Sequence, residues 1–300
     1  MRQREQNTAE FIRMPLRHLY AQETSPDTIM TEDAKTSAAG DPVLAERIRR
    51  YWDGRAEGFA ATRAFELTSA KRLLWLEELE GPLLAAARIV PTGSPVDILD
   101  IGTGAGYFSL LLNELGRKHG LTLRILGIDL SPEMVKLAQQ NAEQAGADNL
   151  AFQVMDAQAL TLPDNRFALI VTRNLTWTLP DAEAAYREWH RVLMPGAVLV
   201  NFDADYGAVS FASLTRDLRC AGEPNAHKDV ADETLAECDA IKAKLPVSRR
   251  RRPQWDAQHL LSLGFESIET DTTISDRLYA ESDEAWNPVP MFRLLAVKGR

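Results

Sequence analysis

The chain has 300 residues, of which 45% are hydrophobic and 26% charged, a balance that excludes a disordered chain, a collagen-like repeat and a disulfide-stapled secreted module. Its length corresponds to about two average domains, or to a single α/β domain with additions. The formal net charge of −9 argues against broad attraction to phosphate backbones or anionic membranes, so a nucleic-acid ligand would need a local basic patch.

Cys220 and Cys238 are the only cysteines. They lack a second Cys/His pair at zinc-like spacing, so neither a disulfide framework nor a metal site is expected, and a reducing compartment fits best. No apolar leader follows the polar N-terminus, and no stretch approaches the roughly 20 apolar residues that span a bilayer. A soluble, cytoplasmic protein is expected.

Residues 1–40 are polar and without helical or strand period, which predicts a mobile tail and leaves Met1 and Met30 as alternative starts. Asp41-Pro42 then suits a helix start, and Leu44, Ile48, Tyr51 and Trp52 recur at helical spacing. A second helical stretch through Leu73–Leu79 is expected to stop near Gly81-Pro82, so residues 41–90 read as a helical cover. From residue 96 the chain alternates strands and helices. Strands are expected at Val96–Ile101, Leu123–Asp129, Leu150–Asp156, Phe167–Asn174 and Ala197–Asp203. The helices between them begin at Tyr107, after the cap Ser131-Pro132-Glu133, and after Pro180-Asp181; the last is expected to stop at Pro195-Gly196. Such alternation implies right-handed crossovers and a doubly wound, mostly parallel sheet. Residues 204–260 break the rhythm and read as a helical insertion or lid. Residues 261–300 supply the final strands, Phe265–Thr273 and Phe292–Lys298, with Trp286-Asn287-Pro288 in the loop between them.

The strongest local signal is Asp100-Ile101-Gly102-Thr103-Gly104-Ala105-Gly106, where a strand passes into a helix. Glycines there let the backbone turn sharply and let a ligand approach without meeting a Cβ. Asp129 ends the next strand, where an acid can accept from both ribose hydroxyls at the carboxyl edge of an open sheet. The dinucleotide fingerprint GxGxxG would need a glycine at position 107, which is Tyr107. A second acid, Asp156, faces the same edge and can accept from an exocyclic adenine amine. Acids around a glycine turn suit a ligand carrying both an ammonium group and an adenosine.

These segments, with Gly127–Met134 and Arg191–Gly196, resemble the class I S-adenosylmethionine-dependent methyltransferases of the small-molecule group, over roughly residues 41–300. The resemblance implies a seven-stranded Rossmann-like sheet whose last strand is antiparallel, with S-adenosylmethionine over its carboxyl edge. It places Asp100 and Gly102 near the methionine moiety and Gly104 and Gly106 against the cofactor backbone. Asp129 becomes the ribose acid, Leu130 touches the adenine face, and Asp156 and Ala157 read its amine edge. Asn174 meets both the methionine end and the substrate. Ala197, where the family usually has a second glycine after Pro-Gly, is the departure.

Asn174 with Trp177 three positions later is similar to the Asn-Pro-Pro-aromatic motif of amino-methyltransferases, without its prolines, so an amine acceptor stands beside a packing role for Trp177. Tyr51, Trp52, Arg55 and Tyr206 are further candidates for the substrate wall, with packing the alternative for Tyr51 and Trp52. Asp203 is a candidate catalytic acid at a strand end, against a turn-capping role. His227 is the histidine to test as a base. The basic run Arg249–Arg252 reads as a solvated face, with a site for an acidic substrate as the alternative. The expected partner is a small methyl acceptor, with no membrane, no nucleic acid and a homodimer left open. The competing readings are a protein or RNA methyltransferase, a nicotinamide-dependent oxidoreductase and a non-catalytic cofactor-binding protein.

Overall fold

Seven strands lie in the order β3-β2-β1-β4-β5-β7-β6 in a computed structural model that describes residues 42–222, 227, 229–279 and 289–300. The strands are β1 Val96–Ile101, β2 Leu123–Asp129, β3 Leu150–Val154, β4 Phe167–Arg173, β5 Leu193–Ala204, β6 Phe265–Asp271 and β7 Met291–Lys298. The β1–β2, β1–β4, β2–β3 and β4–β5 pairs are parallel, whereas β7 runs antiparallel to both β5 and β6. The reversal at β1 and β4, neighbours that are not consecutive in sequence, is the switch point at which such a sheet opens a crevice beyond its carboxyl ends. The expected tail at 1–40, the cap Asp41 and the Trp286-Asn287-Pro288 loop lie outside the described residues.

Nine helices are found among the described residues: α1 Pro42–Thr68, α2 Lys71–Ala87, α3 Tyr107–His119, α4 Pro132–Gln144, α5 Ala182–Val192, α6 Phe211–Ala221, α7 Asp232–Lys242, α8 Gln254–Ser262 and α9 Ile274–Leu278. The sheet feeds two cores. Val96 and Ile98 point to Trp75, Leu79 and Leu83 of α2 and to Leu111 of α3. Leu99 and Ile101 point the other way, into the cluster holding Tyr186 and Trp189 of α5 and Leu260 of α8. This is the two-residue alternation of a strand buried on both faces.

Two boundaries differ from the sequence reading. The second helix does not stop at Gly81-Pro82 but carries Pro82 in its interior. Trp75, Leu79, Leu83 and Ala86 form one buried stripe across that point, and its burial outweighs the missing proline N–H. Helix α5 ends at Val192, not at Pro195-Gly196, because Leu193 already pairs with Phe167 as the first residue of β5. Elsewhere the caps act as expected. Ser131 Oγ accepts the Met134 N–H at 3.2 Å, and the Asp181 carboxylate accepts the Ala184 N–H at 2.8 Å.

Within 204–260 the described residues hold helices α6 and α7 and most of α8. Helices α6 and α7 form a separate apolar cluster with Trp177 and Tyr206 through Phe211, Leu235 and Cys238. Helix α8 instead packs on the sheet's own layer, where its Asp256 accepts the Tyr186 hydroxyl at 2.7 Å.

Candidate active site

The glycine turn leaves β1 with Gly102, Gly104 and Gly106 all at positive φ, between +54° and +83°, a region that L side chains enter at a cost. Asp100 lies beneath the turn. Its carboxylate accepts the Thr103 hydroxyl and the Ser109 hydroxyl, both at 2.7 Å, and the Ser109 N–H at 3.1 Å. Burial pushes this carboxyl up to about 6, opposed by those hydrogen bonds. Asp100 therefore braces the turn from below and lines neither cavity described here. Gly106 also serves packing, since a Cβ there would meet Ala138 and Phe152 at 3.3 Å.

Above the turn is a cavity lined by Gly102, Gly104, Asp129, Leu130, Asp156, Ala157, Asn174 and Leu175, with Met155, Gln158 and Thr178 around them. It collects the ends of β1, β2 and β4 with the loop after β3. The Asp129 carboxylate accepts the Gly104 N–H and the Ser131 N–H, each at 3.0 Å. Burial raises its carboxyl to about 6 against these bonds, and the neighbouring charge of Asp53 adds to the rise. Asp156 Oδ1 accepts the Gln158 backbone and side-chain N–H groups at 2.8 and 3.0 Å. Helix α1 closes the cavity's outer side with Ala45, Ile48, Trp52 and Phe59. Ser131 donates to Asp53 of that helix at 2.5 Å.

A second cavity adjoins the first, and both are lined by Trp52, Phe59, Arg173 and Asn174. Its walls are aromatic. Trp177 stands edge-on to Trp52, Tyr206 and Phe211, with centroids 6.1, 5.1 and 5.9 Å away, the arrangement aromatic quadrupoles prefer. Tyr51, Arg55, Arg63 and His227 complete much of the lining. Asn174 itself has φ 55°. Its carbonyl accepts the Trp177 indole N–H at 2.9 Å, and its side-chain Oδ1 accepts the Tyr206 hydroxyl at 3.2 Å. Burial, followed by the charges of Arg55 and Lys242, holds the His227 imidazole down to about 4. It is therefore neutral near pH 7 and meets Phe211 edge-on at 4.9 Å.

Of the sequence candidates, Gly102, Gly104, Asp129, Leu130, Asp156, Ala157 and Asn174 meet in the first cavity, and Tyr51, Trp52, Arg55, Asn174, Trp177, Tyr206 and His227 meet in the second. Asp203 is the exception among the proposed catalytic groups. It is fully buried and lines neither cavity. Its carboxylate accepts the Trp177 N–H at 2.9 Å, the Thr176 hydroxyl and Arg252 Nη1 at 3.0 Å. A strand-end acid packed against a guanidinium holds the wall in place and has no face toward a ligand. The same contact removes Arg252 from the solvated basic run.

The sequence reading missed Phe59, Arg63 and Arg173, together with the buried Glu66 that joins the two arginines. Glu66 accepts from Arg63 at 2.7 Å and from Arg173 at 2.9 and 3.1 Å. Their guanidiniums hold its carboxyl well below the usual range despite burial. Arg63 and Glu66 stand on the second half of α1 at i,i+3 spacing, a signal present in the sequence but shared with any solvated helix pair.

A family model described as Methyltransferase domain matches residues 93–271, more than half of the chain. An uncharacterized protein of Mycobacterium tuberculosis (strain ATCC 25618 / H37Rv) is 32% identical over 164 residues, which is 55% of this chain and 52% of that protein. The uncharacterized methyltransferase YcgJ of Bacillus subtilis (strain 168) is 34% identical over 96 residues, 32% of this chain and 36% of that one. The chain spans about half the length of the first of these relatives. Among solved structures, the CurJ carbon methyltransferase superposes with a TM-score of 0.55 at 14% identity, over 81% of this chain and 58% of that one, a likeness of fold. With the glycine turn, the two strand-end acids and the antiparallel β7 in their places, the chain belongs to the class I S-adenosylmethionine-dependent methyltransferase family.

Proposed function

We propose that this protein transfers a methyl group from S-adenosylmethionine to a small-molecule acceptor. The observation that carries the reading is the junction of the two cavities. A glycine-floored cavity bearing two acids and an aromatic one share Trp52, Phe59, Arg173 and Asn174, so ligands in the two would meet end to end. The first cavity fits the cofactor on its donor and acceptor set. A Cβ on Gly104 would project to within 3.7 Å of Phe59, and the Asp129 carboxylate has the acceptor capacity for two ribose hydroxyls. Asp156 and Ala157 suit the amine edge of an adenine, with Leu130 against its face. When bound, S-adenosylmethionine supplies an electrophilic methyl carbon to an acceptor lone pair, the carbon–sulfur electrons returning to sulfur.

The chain's own contribution is alignment and exclusion of water. Helix α1 covers the junction with Trp52 and Phe59, and Trp177, held by its hydrogen bond to Asn174, stiffens the opposite wall. His227 borders the acceptor space in its neutral form, and the burial and cations that hold it down to about 4 make it a weak base there. Amine recognition through Asn174 gains no separate support: its side-chain oxygen accepts from Tyr206 and keeps a second lone pair, so this contact neither supplies nor excludes an amine site. A nucleic-acid substrate gains none either, since Arg250 faces Glu183 and Arg252 is buried in an ion pair. No helix among the described residues is long and apolar enough to cross a membrane.

Calorimetry with S-adenosylmethionine and S-adenosylhomocysteine tests the reading, with one-to-one binding of both as the expected result. Folded protein that binds neither, or that instead enhances NADH fluorescence on titration, would overturn it.

A further inference from the structure

The acceptor cavity has a charge as well as a shape. Among the described residues its lining includes Arg55, Arg63 and Arg173 and no carboxylate. Glu66 behind the wall spans Arg63 and Arg173, so that three guanidiniums face the space with one carboxylate offsetting them. Arg55 differs from the other two. It makes no ion pair or hydrogen bond with any described residue, while its Nε, like that of Arg173, is buried without a partner. A buried donor left unsatisfied is unfavourable, and a ligand bonding to it would recover that loss. Arg55 also borders only the acceptor cavity, whereas Arg173 borders both. The neighbouring His227 is lowered first by burial and then by the charges of Arg55 and of Lys242 on α7, while Asp239 acts in the opposite sense. Asn174 adds a neutral donor, since its Oδ1 is engaged by Tyr206 and its Nδ2 has no partner among the described residues.

We propose that the methyl acceptor is an aromatic or otherwise planar anion, its carboxylate or phosphate seated on the Arg55 guanidinium and its ring laid against the wall of Trp52, Trp177 and Phe211. A planar fork of N–H donors matches either oxyanion in two-point fashion, and the edge-on aromatic wall matches a flat body. The proposal deepens the methyltransferase reading and rests on it.

The test is calorimetric titration of the full chain with 1-naphthoate, 1-naphthyl phosphate and the neutral 1-naphthamide, with and without saturating S-adenosylhomocysteine. At least one anion is expected to bind tenfold or more tightly than the amide. Arg55→Gln should abolish that preference and Arg55→Lys retain part of it, while both variants keep wild-type S-adenosylhomocysteine affinity and thermal stability. Equal binding of the three probes, binding by neither anion, or a preference that survives Arg55→Gln overturns the proposal. So does a loss of S-adenosylhomocysteine affinity in Arg55→Gln, which would put Arg55 in the cofactor site. If wild-type protein selects the anion yet does not bind S-adenosylhomocysteine, the methyltransferase reading fails instead.

Discussion

Asp129 and Gly104 are joined by a 3.0 Å hydrogen bond from the glycine N–H to the carboxylate, which ties the end of β2 to the turn after β1. The acid assigned to the ribose is therefore also a brace of the loop that floors the same cavity. Asp129→Asn keeps the shape but loses the charge and part of the acceptor capacity. Charge-assisted hydrogen bonds contribute about 1.5–3 kcal/mol each, so S-adenosylhomocysteine should bind at least about 30-fold more weakly. Stability should change by no more than about 1–2 kcal/mol, because the N–H left facing an amide nitrogen is offset by removal of a carboxylate that the fold resists ionising. Calorimetry paired with urea unfolding checks both, and wild-type affinity would remove Asp129 from the ribose role.

The pH dependence follows from the same acid. Without ligand, Asp100 and Asp129 have carboxyls raised to about 6 by burial, above the ordinary carboxylate value near 4. Between those values the folded chain holds protons that the unfolded chain has released. The contribution of these two acids to the stability of the ligand-free protein should thus fall as pH rises from about 4 to 6 and level off above, opposite in sign to that of His227, whose imidazole is held down to about 4. Ligand binding runs the other way, because ribose hydroxyls need the ionised Asp129. Affinity for S-adenosylhomocysteine should drop by up to about tenfold per pH unit below 6, and Asp129→Asn should flatten the profile. A profile flat in the wild type would show that Asp129 titrates elsewhere.

Gly102→Ala tests the turn. Its φ of +67° is costly for a side chain, and the new Cβ would lie 3.0 Å from Leu175 of the cavity wall. A cost of about 1–2 kcal/mol in stability is expected, with weakened cofactor binding in the same titration. Wild-type values in both would mean that the turn relaxes without strain.

Arg252 supports the acceptor wall from behind. Its guanidinium reaches Asp203 at 3.0 Å and Asp256 at 2.8 Å with all three side chains buried. Arg252→Met strands two buried carboxylates, and breaking such a cluster costs about 3–5 kcal/mol. Denaturant unfolding should show a midpoint lowered accordingly. An unchanged midpoint would show that the carboxylates are protonated in the fold and need no counter-charge.

The core was legible from local chemistry. Strands β1 and β2 have the bounds expected from their apolar runs, and the cofactor cavity gathers Gly102, Gly104, Asp129 and Asp156, while Asp100 and Gly106 stand outside its lining. Two kinds of feature stayed hidden. Pro82 and Leu193 were misplaced because long-range burial and pairing overrode a local stop signal. Asp203 was read as chemistry because a strand-end position says where a side chain starts, whereas its partner Arg252 lies 49 residues away in sequence. Arg63, Glu66 and Arg173 form one cluster only once α1 lies across the end of β4, a contact that no periodicity encodes.

Strand β7 separates β5 from β6, hydrogen-bonded to both. In folding terms, β6 is made before the strand it must join and has no partner in the sheet until Met291–Lys298 slide in beside β5. Until then β5 presents an open edge. Completion of this sheet is a long-range event, and intermediates exposing that edge are where self-association should begin when the protein is expressed faster than it folds.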